Sequence, residues 1–270
     1  MVRAGPHRGI GEISAAPAAS GGASPRVWVT LRGTIPGSDM RPANVAAGVL
    51  LIALPLAFNA AFALLAARFD YPDILRRPTE EVLERFRAGG SALVLLWWAF
   101  AMSAVLFAPL AVLLSGALEG AGPTLRGLAA TVGVLAAAVQ FLGLVRWPFL
   151  VPYLARAAAE PDATDARKHA VDIVFQAFNR YLGVAVGEHL GYLLTGVWSV
   201  LVGVAILPDT VIPAWLGVVG IVVGAVLALC SLEFVGSFEP AGWRLAGTVT
   251  PIAYVAWSLW LIATGVALLL

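Results

Sequence analysis

The segment that decides the fold lies at residues 91–116 and reads SALVLLWWAFAMSAVLFAPLAVLLSG. It contains no charged side chain. A helix needs about 20 mostly apolar residues to cross the hydrocarbon core of a bilayer, so this segment is long enough to span one. Strands of membrane barrels alternate apolar and polar residues, which this segment does not do. The pattern therefore predicts a transmembrane helix.

Five further stretches have the same character, and proline, glycine or charged residues separate them. The six predicted spans are 44–67, 91–116, 125–155, 182–207, 213–235 and 246–270. No alternating strand pattern occurs anywhere in the chain. The sequence thus predicts an all-α fold, a polytopic membrane bundle of six transmembrane helices that occupies residues 44–270.

The composition of the chain excludes several classes of protein. Hydrophobic residues make up 60% of the chain and charged residues only 12%, with a mean hydropathy of +0.88. Soluble domains average about a quarter charged residues, so a water-soluble globule is excluded. The net charge of +1 argues against nucleic-acid binding. Cys230 is the single cysteine, which excludes an intramolecular disulfide and a cysteine-based zinc site. The predicted partner is the lipid bilayer.

Residues 1–43 differ from the rest of the chain. They are rich in Gly, Ala, Pro and Ser, and they show no apolar periodicity. Such a composition cannot bury enough apolar surface to order itself, so it predicts a disordered N-terminal tail. Met40 lies just before the first span. We interpret residues 1–39 as a dispensable extension or as an upstream mis-start.

Two amphipathic stretches lie between the spans. In the first, Thr79 is a predicted N-cap and Gly89 a predicted helix end, with Val82, Leu83 and Phe86 on one face. This stretch predicts a short amphipathic helix at the membrane interface, with a Glu81–Arg85 ion pair on its polar face.

The second amphipathic stretch begins near Asp162 and continues into the fourth span without a proline. We therefore expect one long helix that lies partly outside the membrane. Its predicted apolar face comprises Val171, Val174, Phe175, Phe178 and Leu182. Its predicted polar face comprises Lys168, Asp172, Gln176, Asn179 and Arg180.

Basic residues are concentrated in the first, third and fifth loops. The positive-inside rule therefore predicts that these loops are cytoplasmic and that both termini lie outside. The residues concerned are Arg68, Arg76, Arg77, Arg85, Arg87, Arg156, Arg167, Lys168 and Arg244. We call the half of the bundle that carries these loops the odd-loop half, and the other the even-loop half.

Polar side chains within the spans are the best indication of function, because they are costly in a bilayer. The strongest candidates all fall toward the odd-loop half, and we predict that they form a ligand-binding pocket open to one side. They are Arg146, Glu188, His189, Asn59 and Gln140. The structural alternatives are a snorkelling Arg146, an Arg146–Glu188 ion pair and a hydrogen-bonded core histidine.

The predicted pocket is consistent with three functions. The leading hypothesis is a non-enzymatic bundle that binds a small or lipidic ligand, or a regulatory partner. A secondary transporter with Glu188 as its protonation switch is the first alternative. An intramembrane enzyme that uses Glu188 and His189 as acid and base is the second.

Catalytic and metal motifs are not found, so no catalytic residue, metal or cofactor is predicted. The run from Glu80 to Arg85 matches the E-E-x-x-x-R pattern of prenyl-protein-processing intramembrane proteases. That family also needs F-x-x-x-H and H-x-x-x-N motifs, whereas Ala185 and Leu193 flank His189 here. A single histidine within the spans does not make a metal or haem site.

Small residues recur every four positions in the fourth span. Such a row lets a neighbouring helix approach closely, and it predicts packing within the chain, with a homodimer interface as the alternative. The row comprises Gly183, Gly187, Gly191, Thr195, Ser199 and Gly203.

Several short segments carry a family resemblance. They are YPDIL at 71–75, LVRW at 144–147, FLVP at 149–152, VFQAF at 174–178, GEHLGY at 187–192 and WLG at 215–217. With these segments, residues 44–270 resemble domain of unknown function 4386, an uncharacterised family of bacterial integral membrane proteins. The resemblance implies a multi-span bundle in the bacterial plasma membrane, and it implies no biochemical activity.

Overall fold

The computed structural model describes residues 42–239 and 241–270, which form helices and turns without any strand. The helices are α1 (Pro42–Phe69), α2 (Thr79–Ala88), α3 (Gly90–Ala117), α4 (Pro123–Ala158), α5 (Asp165–Phe178), α6 (Gly191–Ile206), α7 (Ala214–Cys230) and α8 (Arg244–Leu269). A π-helix, Asn179–Leu190, joins α5 to α6, and we call it the π segment. Short 3₁₀ turns lie at Asp73–Arg76, Ser231–Phe234 and Gly236–Phe238. The predicted tail at residues 1–43 lies outside the described residues, except that α1 begins at Pro42.

The predicted six-span bundle is confirmed. Six helices are long and apolar enough to cross a membrane, and the fourth of them is the continuous run Asp165–Ile206. The predicted spans are close to the observed ones, because proline and glycine mark most of the ends. The structure is therefore that of a multi-pass membrane protein.

The six spans form a closed ring. Going around it, α1 contacts α3, α3 contacts α4, α4 contacts α6, α6 contacts α7, α7 contacts α8, and α8 contacts α1. Outward-facing side chains such as Leu95, Phe149 and Leu259 are more than 60% exposed. An exposed apolar exterior of this kind is consistent with contact with a lipid bilayer.

Helix α4 is longer than a bilayer requires. Its 36 residues extend about 54 Å, whereas the hydrocarbon core is about 30 Å thick. The surplus lies at the odd-loop end, where α2 packs against α4 and where α5 begins. Helices α2 and α5 thus thicken the bundle on one side.

Glycines allow α6 and α7 to touch through their backbones. A Cβ on Gly196 would lie 2.5 Å from the carbonyl oxygen of Gly224, and one on Gly203 would lie 2.5 Å from that of Gly217. No side chain fits into such a contact, so small residues are required there.

Helix α2 packs its apolar side against protein. Val82, Leu83 and Phe86 are buried, in a core shared with α4. The Glu81–Arg85 ion pair is present, at 3.7 Å between Oε1 and Nε. The predicted N-cap is wrong: Pro78 occupies the N-cap position. The Thr79 hydroxyl instead donates to Asp172 and accepts a hydrogen bond from the Gln176 amide at 2.9 Å.

The predicted faces of α5 are only partly right. Val171 and Phe175 are buried as expected, but Val174 and Phe178 are exposed. Three residues of the predicted polar face turn inward, because Asp172 and Gln176 bind Thr79 and Asn179 binds Arg146. The prediction assumed that water surrounds this helix, so that its polar side chains face outward. Where lipid surrounds a helix, polar side chains face inward instead, because they find partners only inside the protein.

Candidate functional site

The Arg146 side chain is held in place by other residues of the same chain. Its side chain is buried, and its guanidinium donates to the carbonyl oxygen of Gly143 and, at 3.0 Å, to Oδ1 of Asn179. The guanidinium carbon lies 5.3 Å from the centre of the Trp147 ring, within the range of a cation–π contact. Arg146 therefore fastens α4 to the start of the π segment.

A direct Arg146–Glu188 ion pair is not formed. The Arg146 hydrogen bonds go to a carbonyl and an amide, and the described residues provide no hydrogen bond or salt bridge to Glu188. The two charges nevertheless attract each other across a longer distance. Glu188 is thus a half-buried carboxylate within a span. Its two oxygens have no partner among the residues that the structure describes.

Glu188 lies next to a point where the π segment contacts α4. A Cβ on Gly143 would lie 2.6 Å from the Cα of Gly187, so the two backbones are in direct contact. A π-helix is rare, and when one occurs it is often at a functional site. Because Glu188 directly follows Gly187, this contact fixes the position at which its side chain leaves the backbone.

Three tyrosines that were not among the predicted site residues lie within electrostatic reach of Glu188. The negative charge of Glu188 acts on Tyr71, Tyr192 and Tyr254, all of which are half-buried. The rings of Tyr192 and Tyr254 lie 5.3 Å apart. Among the described residues, none of the three hydroxyls has a hydrogen-bond partner. Tyr71 and Tyr192 lie within the family segments YPDIL and GEHLGY, which is the signal that could have indicated them.

Tyr71 enters this cluster from the loop after α1. Its ring packs edge-on against Trp97, with the ring centres 5.0 Å apart. Burial and the Glu188 carboxylate raise the pKa of Tyr71 to about 12, and the positive charge of Arg146 opposes that rise. The hydroxyl is therefore protonated at neutral pH and can donate a hydrogen bond.

The other three candidate residues have partners of their own. Asn59 donates to the Ser258 hydroxyl at 2.9 Å and to the carbonyl of Pro55, which links α1 to α8. Gln140 donates to the Thr195 hydroxyl at 2.8 Å and links α4 to α6. Nδ1 of His189 lies 2.8 Å from the carbonyl oxygen of Ser231, to which it donates.

The small-residue row of the fourth span faces its own chain. Its first members lie against α4, where Gly183 meets the Arg146 guanidinium, Gly187 meets Gly143 and Gly191 meets Gln140. Its last members, Ser199 and Gly203, lie against α7. In addition, among the described residues, no group of three or more His, Cys, Asp or Glu side chains could hold a metal ion.

Comparison with known proteins identifies a family. No curated protein and no solved structure matches the chain. A family model described as a domain of unknown function, DUF4386, matches residues 46–265, which cover both the ring of helices and the cluster around Glu188. The chain belongs to the DUF4386 family.

Proposed function

We propose that this protein is a non-enzymatic, ligand-binding bundle of the bacterial plasma membrane. In this proposal the first, third and fifth loops are cytoplasmic, and the ligand enters from that side. The observation that carries the proposal is the Glu188 carboxylate, which is half-buried in a span without a hydrogen bond from any described residue.

The energetic argument concerns unpaired polar groups. A buried donor or acceptor without a partner costs about 1–3 kcal/mol, and a charged group costs more. The Glu188 carboxylate and the three tyrosine hydroxyls are half-buried and have no hydrogen-bond partner among the described residues, so each meets part of this cost. A ligand that supplies their hydrogen bonds would offset that cost, which favours binding at this place.

The chemistry around Glu188 indicates the type of ligand. The carboxylate accepts hydrogen bonds or attracts a cation, while the neutral Tyr71 hydroxyl can donate. Arg146 adds positive charge on the α4 side, and the tyrosine rings offer apolar faces. We infer a small or lipidic ligand with a donor or cationic group toward Glu188 and an acceptor or anionic group toward Arg146.

A transporter or an enzyme would use the same residues differently. A transporter needs a polar route through the even-loop half as well, yet Trp198, Trp257 and Trp260 are buried there. An acid–base pair must face one substrate, yet Glu188 and His189 are successive residues of a helix and leave it on different sides, with the His189 ring turned toward Ser231. These observations favour binding over either alternative.

The test is native mass spectrometry of the protein purified in mild detergent. We expect a co-purifying molecule on the wild type that is lost from Glu188→Gln and retained by Glu84→Gln, which changes an exposed carboxylate on α2. Because Glu188 has no hydrogen bond or ion pair with any residue that the structure describes, Glu188→Gln should leave the melting temperature nearly unchanged.

Two results would contradict the proposal. If Glu188→Gln lowers the melting temperature without changing any bound molecule, Glu188 is a structural residue. If proteoliposomes take up a solute in a Glu188-dependent manner, the protein is a transporter.

A further inference from the structure

A groove on the outer surface of the bundle lies apart from the Glu188 cluster. It runs between the odd-loop ends of α3 and α4, beneath the end of α2, and has a volume of about 560 Å³. Its wall is apolar and includes Val94, Leu95, Phe149 and Pro152. Leu95 and Phe149 are more than 60% exposed, so this wall faces the surrounding lipid.

Two arginines stand at the mouth of the groove. Arg87 comes from the last turn of α2 and Arg156 from the last turn of α4, and both side chains are exposed. Neither has a hydrogen bond or ion pair with any described residue. The nearest acidic residue after Arg156 in the sequence, Glu160, pairs with Arg167 instead, at 2.7 Å. The mouth therefore carries two positive charges that the described residues do not neutralise.

The depth of the groove matches the boundary of a bilayer. Helix α3 has 28 residues and extends about 42 Å, which equals the thickness of a bilayer including both headgroup layers. With α3 centred in the membrane, Gly90 and Ser91 lie in a headgroup layer. Leu95 lies about 7 Å deeper, at the edge of the hydrocarbon. The charges are thus level with lipid phosphates, and the apolar wall is level with acyl chains.

From this arrangement we propose that the groove binds one anionic phospholipid. Its phosphate lies between Arg87 and Arg156, the Ser91 hydroxyl donates to the headgroup, and an acyl chain runs along Val94, Leu95 and Phe149. Basic pockets between transmembrane helices at the membrane surface suit anionic headgroups in this way. A zwitterionic lipid offers the same chains but no net negative charge, so the arginines select the anionic one.

The test measures lipid binding by native mass spectrometry on the full chain, delipidated in detergent. Phosphatidylglycerol is added as the anionic probe and phosphatidylcholine as the zwitterionic one. We expect one phosphatidylglycerol to bind to the wild type, at least fivefold more strongly than phosphatidylcholine. The double variant Arg87→Gln, Arg156→Gln should lose that preference.

Two matched variants separate the groove from general surface charge. Arg68→Gln with Arg244→Gln removes two exposed arginines of the same half that do not line the groove, and this variant should bind phosphatidylglycerol within twofold of the wild type. Ser91→Trp fills the groove without changing any charge and should weaken binding at least fivefold.

Equal loss of binding in both double-arginine variants would overturn the proposal, because it would show non-specific attraction. Undiminished binding by Ser91→Trp or by the Arg87, Arg156 variant would also overturn it. A variant that melts as the wild type does is folded, so its loss of lipid cannot be ascribed to unfolding. Glu188→Gln should leave phosphatidylglycerol binding unchanged, which separates this groove from the proposed interior site.

Discussion

The two halves of the bundle are held together by different means. In the even-loop half, helices touch through glycine backbones, and hydroxyls such as Ser199 and Thr264 bond to carbonyls of their own helix. In the odd-loop half, large aromatic rings fill the space between α3 and α4, where Trp97 stacks on Trp147 at 4.4 Å between ring centres. The first arrangement brings α6 and α7 into backbone contact, whereas the second joins α3 and α4 through side chains.

The two halves also differ in the polar groups that have no hydrogen-bond partner among the described residues. In the even-loop half these are single buried atoms, namely Ser115 Oγ, Arg126 Nε and Trp198 Nε1. In the odd-loop half the Glu188 carboxylate acts electrostatically on three half-buried tyrosine hydroxyls. Several such side chains therefore share one neighbourhood in that half, which is where we propose the site.

The largest effect should come from the aromatic stack. Trp97 is fully buried, so Trp97→Ala should cost about 3–5 kcal/mol of stability through the cavity it leaves. Trp98, the next residue, is 47% exposed and serves as the control, with an expected cost of less than about 0.5 kcal/mol. Thermal unfolding in detergent measures both. Equal costs would show that the stack does not stabilise the odd-loop half.

The glycine contacts of the even-loop half should give the next largest effect. Gly203→Ala places a methyl group 2.5 Å from the Gly217 carbonyl oxygen, which should cost about 3 kcal/mol because the backbones must separate. Gly127→Ala meets nothing within 4 Å and should be neutral or stabilising by up to about 1 kcal/mol. Melting temperatures compare the two variants. A tolerated Gly203→Ala would contradict close packing of α6 against α7 in the even-loop half.

A smaller effect should distinguish structural polar groups from site groups. Asn179→Ala leaves the buried Arg146 guanidinium without one acceptor, so it should cost about 1–3 kcal/mol. Gln140→Ala, which removes the hydrogen bond to Thr195, should also destabilise the protein. Urea titration of the detergent-solubilised protein ranks these variants against Glu188→Gln. If Glu188→Gln is as destabilising as Asn179→Ala, the carboxylate has a structural partner.

The smallest effect concerns pH. The pKa of Tyr71 is about 12 in the folded protein and about 10 when unfolded, so its phenol ionises first in the unfolded state. The contribution of Tyr71 to stability is therefore complete below pH 10 and is lost as the pH rises toward 12. Tyr71→Phe should flatten the fall in melting temperature above pH 10, whereas Tyr153→Phe, at an exposed position, should not. Parallel curves for wild type and Tyr71→Phe would contradict the burial of this hydroxyl beside Glu188.

Much of the fold could be predicted because the bilayer constrains it. A span needs about 20 apolar residues, and such stretches are visible in the sequence without knowledge of any contact. The faces of α5 were predicted partly wrongly, since an amphipathic pattern does not state whether water or lipid surrounds it. The π segment was missed because its hydrogen-bond pattern has no characteristic residues that separate it from an α-helix.

The candidate site was predicted less completely than the fold. Glu188 and Arg146 were identifiable because charges inside spans are costly. Tyr71 was not, since it lies in a loop and reaches the cluster only through the packing of its ring on Trp97. Asn59 and Gln140 lie at membrane depths similar to those of Glu188 and Arg146, so the sequence predicted them in the same pocket. Depth along a helix does not show which neighbouring residue a side chain contacts.

The surplus length of α4 has a practical consequence for measuring topology. Among the described residues, the even-loop side exposes short turns around residues 118–122 and 207–213, while the other side carries α2 and α5. Cys230 is buried and is the single cysteine of the chain, so we expect the natural protein to react little with thiol-labelling reagents. A cysteine introduced at Glu160, beyond the end of α4, would report which compartment that side of the bundle faces.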